Sequence, residues 1–159
     1  MSDLASPDEI MTRIGAAMAL GHQGDRAGAR EAFAAIWAEV GDDGDALHRV
    51  ALAHSMADVQ DDVREEIAWD LRALDAAGAV SDERAAAAGV ASPVAAFYPS
   101  LHLNLGEAYR KVGNLALAQH HCDEGRARVE SLPDDGYGAM VRDALDRLAE
   151  RIADDTPPG

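Results

Sequence analysis

Cysteine, lysine and aromatic residues are nearly missing from this chain. One cysteine, Cys122, stands among 159 residues. No internal disulfide can form, and a reducing, cytoplasmic setting is expected. One lysine, Lys111, stands beside thirteen arginines, and 29 acidic side chains outweigh the 14 basic ones to leave a formal charge of −15. Such a surface repels phosphate, so neither nucleic acid nor an anionic membrane is expected as a partner. A basic protein or peptide would be attracted. No run of eighteen apolar residues exists to suggest a membrane span, and the opening MSDLASPDEI lacks a charged-then-apolar leader. Val, Ile and Thr are sparse and nowhere alternate with polar residues, so no sheet is expected. HxxxH and CxxC spacings, phosphate loops, dinucleotide fingerprints and nucleophile elbows are all missing. No metal, no cofactor and no catalytic residue is therefore expected.

The residues that do abound, Ala, Leu, Arg, Glu and Asp, favour helices. SPDE at 6–9 reads as a helix start, with Ser6 as cap, Pro7 in the first helical position and Glu9 closing a capping box. The first helix runs to about Leu20, the second from Arg26 to Val40, the third from just after Asp45, and the fourth from Val63 to about Ala76. On the fourth, Ile67, Leu71 and Leu74 are expected inside, and Asp61, Asp62, Glu65, Glu66 and Asp70 on the acidic faces. Residues 77–98 are less regular, with Ser81 and Ser92-Pro93 as further start signals. Helices follow over 99–112 and 115–132. PDDGYG at 133–138 is expected as a loop. A last helix carries Val141, Ala144, Leu145, Leu148 and Ile152, and residues 154–159 form a disordered tail. The expectation is a single all-α domain over 1–153, of about seven helices in antiparallel pairs.

The pairs share a pattern. In NLGEAYRKVGNLALA, Leu105-Gly106 is followed by Tyr109, a Gly113-Asn114 turn and Ala118, and then by Cys122 and Gly125. Small residues mark where helices cross closely and large ones fill the hollows beside the crossing. The first pair matches with Ala16-Ala17, Leu20, Gly24-Asp25, Ala29, Phe33 and Ile36. The second begins with Ser55-Met56, Val59 and Ala68 but continues with Arg72 and Asp75. This spacing resembles the tetratricopeptide repeat over residues 10–131. Intervals of 39 residues from Ala29 to Ala68 and 50 from Ala68 to Ala118 exceed the usual period of about 34, and place an insertion at about 77–98. The resemblance implies a short right-handed solenoid and a non-enzymatic protein-recognition role. The concave groove would be lined by the first helix of each pair: His22; then His54, Gln60 and Asp61; then Asn104, Glu107, Arg110 and Lys111. Only the third unit groups Asn104, Arg110 and Lys111, so a clamp for a peptide carboxylate across units is not expected.

Other residues invite chemistry. Cys122 falls where the pattern wants a medium apolar side chain and is expected to pack as one. His120 and His121 are adjacent, so on a helix they point about 100° apart, with the pair expected on an outer turn. His54 and Asp58, four apart, could pair as a base and its orienting acid. With His102, Glu107 and Arg110 they define the competing reading, an enzyme or small-molecule-binding regulator. His48 is expected to be exposed. Trp69 is expected to pack beneath 77–98, or else to mark a contact between two copies in a homodimer, a role the last helix could also take.

Overall fold

The computed structural model describes residues 8–90 and 92–157. Most of these lie in helices, and no strand occurs among them. Among the described residues there are eight α-helices rather than about seven. In order they are α1 (Glu9–His22), α2 (Arg26–Val40), α3 (Ala46–Asp58), α4 (Val63–Ala77), α5 (Asp82–Ala87), α6 (Tyr98–Lys111), α7 (Leu115–Arg126) and α8 (Gly136–Asp155), with 3-10 turns at Val94–Phe97 and Val129–Ser131. None of the described helices is long and apolar enough to cross a membrane. The chain divides into two compact units, residues 1–89 and 90–159; the boundary lies inside the irregular segment.

Aspartate starts most of these helices. The side chains of Asp8, Asp25, Asp45, Asp62 and Asp135 accept from backbone N–H groups in the first turns of α1, α2, α3, α4 and α8. Ser81 and Asn114 do the same for α5 and α7. Each cap satisfies a donor with no intrahelical partner. The proposed Ser6 cap and Pro7 lie outside the described residues, as do residues 158–159 of the expected tail. The last helix starts earlier than its loop-like sequence implies. Asp135 caps Gly138 N at 2.9 Å, and a Cβ on Gly138 would meet the Pro133 carbonyl at 1.9 Å, so glycine is required there. The sixth expected helix is shorter, since α7 gives way to a 3-10 turn whose Val129 carbonyl accepts from Arg142.

In the first unit, α1 pairs with α2 and α3 with α4 as helical hairpins, and α3 also packs on α1 and α2. Ile14, Ala17, Ala29, Phe33, Ile36, Leu52, Met56 and Val59 form the core. Trp69 joins it edge-on to Trp37, ring centres 5.1 Å apart, and so packs on α2. The Arg72 guanidinium lies 4.2 Å from the Trp69 ring centre. The buried face of α4 differs from the expected one. Leu71 is exposed, and Asp70, Ala73, Ala76 and Ala77 are buried. Alanines let α4 approach α3 closely, whereas leucines at the same positions would hold it off.

In the second unit, α6 and α7 form a third hairpin and α8 packs on both. Val141, Leu145, Leu148 and Ile152 are buried as their spacing predicts, with Leu101, Leu105, Ala108, Ala118 and Cys122 opposite them. Cys122 is fully buried, its Sγ 3.6 Å from the Leu145 carbonyl, and burial raises its thiol pKa. It packs as the small hydrophobe the pattern called for.

The first and third hairpins turn alike. Gly24 and Gly113 take positive φ (94° and 82°), and the next residues, Asp25 and Asn114, donate N–H to Leu20 and Tyr109 carbonyls at 2.9 Å. This is the glycine-ended helix stop, in which a left-handed residue lets the chain return to cap its own last carbonyls. Gly113→Ala or Gly24→Ala is expected to cost about 1–2 kcal/mol, since a Cβ disfavours that conformation. Urea titration of the variants against wild type measures it.

Candidate functional site

A small cleft opens in the first unit, with a volume of about 130 Å³. α1 contributes Met18, Gly21 and His22, α2 Arg26 and Phe33, and α3 Ser55 and Asp58, with Val59 following. Phe33 and Val59 are buried at its floor, and Met18, 41% exposed, stands on its lip with His22 and Asp58. Gly21 keeps the wall thin: a Cβ there would lie 3.3 Å from Val59 Cγ1.

Two arginines of α2 hold the α3 side of the cleft. Arg26 donates to the carbonyls of Asp58 (3.1 Å) and Gln60 (2.8 Å) and pairs with Asp61, while Arg30 donates to the Val59 carbonyl (2.7 Å) and also reaches Asp61. Guanidinium groups thus cap the carbonyl end of α3, where cations are favoured. Of the groove residues expected in this unit, His22 lines the cleft. Gln60 donates to the Met56 carbonyl at 3.0 Å, and Asp61 is engaged by both arginines. His54, half-buried, lies outside the cleft lining.

The remaining expected groove residues lie on α6 in the second unit. Glu107 bonds Arg110 (3.3 Å) and Arg151, and Arg110 reaches Asp155 at 3.0 Å. Both side chains are therefore spent joining α6 to α8. Asn104 is half-buried and Lys111 exposed. Sequence shows that α8 has an apolar face but not which surface that face covers.

His102 and His121 meet inside this unit. Their Nδ1 atoms are 3.0 Å apart, and both residues are buried. Placing both histidines 120 and 121 on an outer turn therefore holds only for His120, which is exposed. Desolvation and the nearby His121 lower His102 to about 4; desolvation and His120 lower His121. Both imidazoles are neutral at pH 7.

His48, expected to be exposed, is half-buried in a charged clasp. Its Nε2 bonds Asp8 at 2.8 Å, and Arg84 bonds Asp8 (2.9 Å) and Asp45 (2.8 Å), linking the start of α5 to the caps of α1 and α3. Burial would raise Asp8, but hydrogen bonds from His48 and Arg84 outweigh it and bring Asp8 to about 2. Asp70 is the opposite case. Expected on an acidic face, it is 1% exposed, and neither carboxylate oxygen has a hydrogen-bond partner. Burial, with Glu66 and Asp58 adding like charge, pushes it up to about 8. An alanine-rich neighbourhood is the one sequence signal that could have placed it inside.

Among the described residues no group of three or more His, Cys, Asp or Glu is arranged to hold a metal ion. The described residues thus make an all-α protein of helical hairpins, with a small cleft bordered by the first two. No family model, no curated protein and no solved structure matches the chain.

Arg84→Met is expected to cost about 1–2 kcal/mol, because half-buried Asp8 and exposed Asp45 each lose a charged hydrogen-bond donor while keeping their others; urea unfolding at pH 7 measures this. Asp8 is depressed, so the clasp's contribution is present above the unfolded value of 3.8 and lost as pH falls through about 2. Asp70 has the reverse sign. Its folded value is raised, so wild type loses stability as pH climbs from about 4 to 8. Asp70→Asn is expected to gain on wild type across that window, by on the order of 2 kcal/mol at pH 8. Parallel unfolding curves at pH 5 and 8 check it; an equal difference at both would refute it.

Proposed function

We propose that this protein is a non-enzymatic recognition module whose hairpins stack as tetratricopeptide-like repeats, with α1 and α3 lining a concave face that binds a protein or peptide. The observation that carries this reading is the α1–α3 cleft with Met18 exposed on its lip. Both helices are the first members of successive hairpins, which is where such a face belongs. The volume suits one apolar side chain rather than a small-molecule substrate, whose pockets run from about 300 Å³ upward. Phe33 and Val59 supply an apolar floor, and Asp58 with the net charge of −15 favours a basic or mixed-charge segment.

Selection of a random peptide-display library on the full chain tests the reading. Enriched peptides should carry an apolar anchor near Arg or Lys. Met18→Glu should weaken the best binder at least about tenfold in fluorescence anisotropy, since an anchor pocket is lost. Failure to enrich, or binders indifferent to Met18→Glu, would overturn it.

A further inference from the structure

The histidine pair of the second unit has a geometry that ordinary packing does not require. His102 on α6 and His121 on α7 are 5% and 7% exposed. Their ring planes are 27° apart and their ring centres 5.3 Å apart, against 3.0 Å between the Nδ1 atoms. The difference is about two ring radii. Each Nδ1 therefore lies close to the line joining the ring centres, and the two in-plane bonding directions oppose each other. With both rings neutral, one Nδ1 donates its hydrogen and the other accepts.

An N–H···N bridge and an N–metal–N bridge use these same two directions. Metal–imidazole bonds of about 2 Å place collinear nitrogens about 4 Å apart, so the rings would need to separate by about 1 Å. The donor set decides which ion fits. Divalent zinc, calcium and magnesium demand four or more ligands. Here no third His, Cys, Asp or Glu completes a group among the described residues. His120 is exposed, and the Cys122 thiol faces the Leu145 carbonyl. Two neutral nitrogens suit a soft monovalent ion that is content with two ligands, and imidazole is a good copper ligand. The surroundings help. Tyr98 stacks beside His102 (centres 6.3 Å apart) and Tyr109 beside His121 (5.5 Å), a shell that limits water. Half-buried Glu124 sets negative charge near both rings.

We propose that His102 and His121 form a linear two-coordinate site for Cu(I), the ion taking the place of the hydrogen between the Nδ1 atoms. That hydrogen moves to Nε2 of the same ring. Two neutral imidazoles then hold the ion, no net proton is released, and the site gains one positive charge. No electron is transferred.

The full chain is titrated without oxygen with Cu(I) against a chromogenic Cu(I) chelator, and separately with Ag(I) as a redox-inert probe. A single equivalent should bind, while Zn(II) should not compete. His102→Gln and His121→Gln should each weaken binding at least about a hundredfold, because a lone imidazole is a poor site. Cys122→Ala, which removes the one thiol, should leave it unchanged. X-ray absorption of the Cu(I)-loaded wild type should show two nitrogen neighbours and no sulfur, a readout that stands even if a histidine variant fails to fold. No wild-type binding, a sulfur neighbour, loss in Cys122→Ala or retention in His102→Gln would overturn the proposal.

Discussion

Close contact between helices at small side chains is the constraint on which the rest depends. Ala29 on α2 and Ala118 on α7 are completely buried at corresponding places in two hairpins. Gly106 and Gly125 extend the principle in the second unit, where an added Cβ would come within 2.7 Å of Leu148 and 2.8 Å of Leu145. With so few aromatics, the chain has little bulk with which to fill wide gaps. Bringing backbones together achieves dense packing with small side chains instead. Leu148 and Leu145 can lie over α6 and α7 because glycine leaves room beneath them.

The acidic composition looks like a solubility device, yet part of it is structural. Aspartates begin five of the described helices, and Asp8 and Asp45 each serve both as a cap and as a ligand of Arg84. The scarce cations are placed where they answer several acceptors. Arg26 and Arg30 close the end of α3, Arg84 gathers the starts of two helices, and Arg110 and Arg151 fix α8 on α6. Arginine suits this work better than lysine, since its planar fork can meet two or three acceptors at once.

The helices were legible because their signals are local. Asp45 and Ser81 announce helix starts, Gly113-Asn114 announces a turn, and the apolar spacing of α8 shows its buried face. What resisted reading was tertiary. Nothing in NLGEAYRK says that Glu107 and Arg110 would be claimed by a helix starting nearly thirty residues later. Leu71 looks more buried than Asp70 on any propensity scale, yet the alanines beside Asp70 set the contact face. His121 seemed paired with its neighbour His120, but a neighbour on a helix points elsewhere, and its partner proved to be His102. The cleft was half visible: His22 was named as a lining residue, while Met18 and Arg26 gain their roles only once α1, α2 and α3 are packed.

The Trp37–Trp69 pair carries one more implication. The chain has two tryptophans, and both sit in the first unit, edge to face, with a guanidinium over one ring. Indole emission therefore reports that unit alone, while the second unit holds no indole, only Phe97 and the phenols of Tyr98, Tyr109 and Tyr137. Fluorescence excited at the red edge of absorption follows one half of the polypeptide and is blind to the other. Set beside backbone ellipticity, it is a built-in way to see whether the halves melt together or in turn.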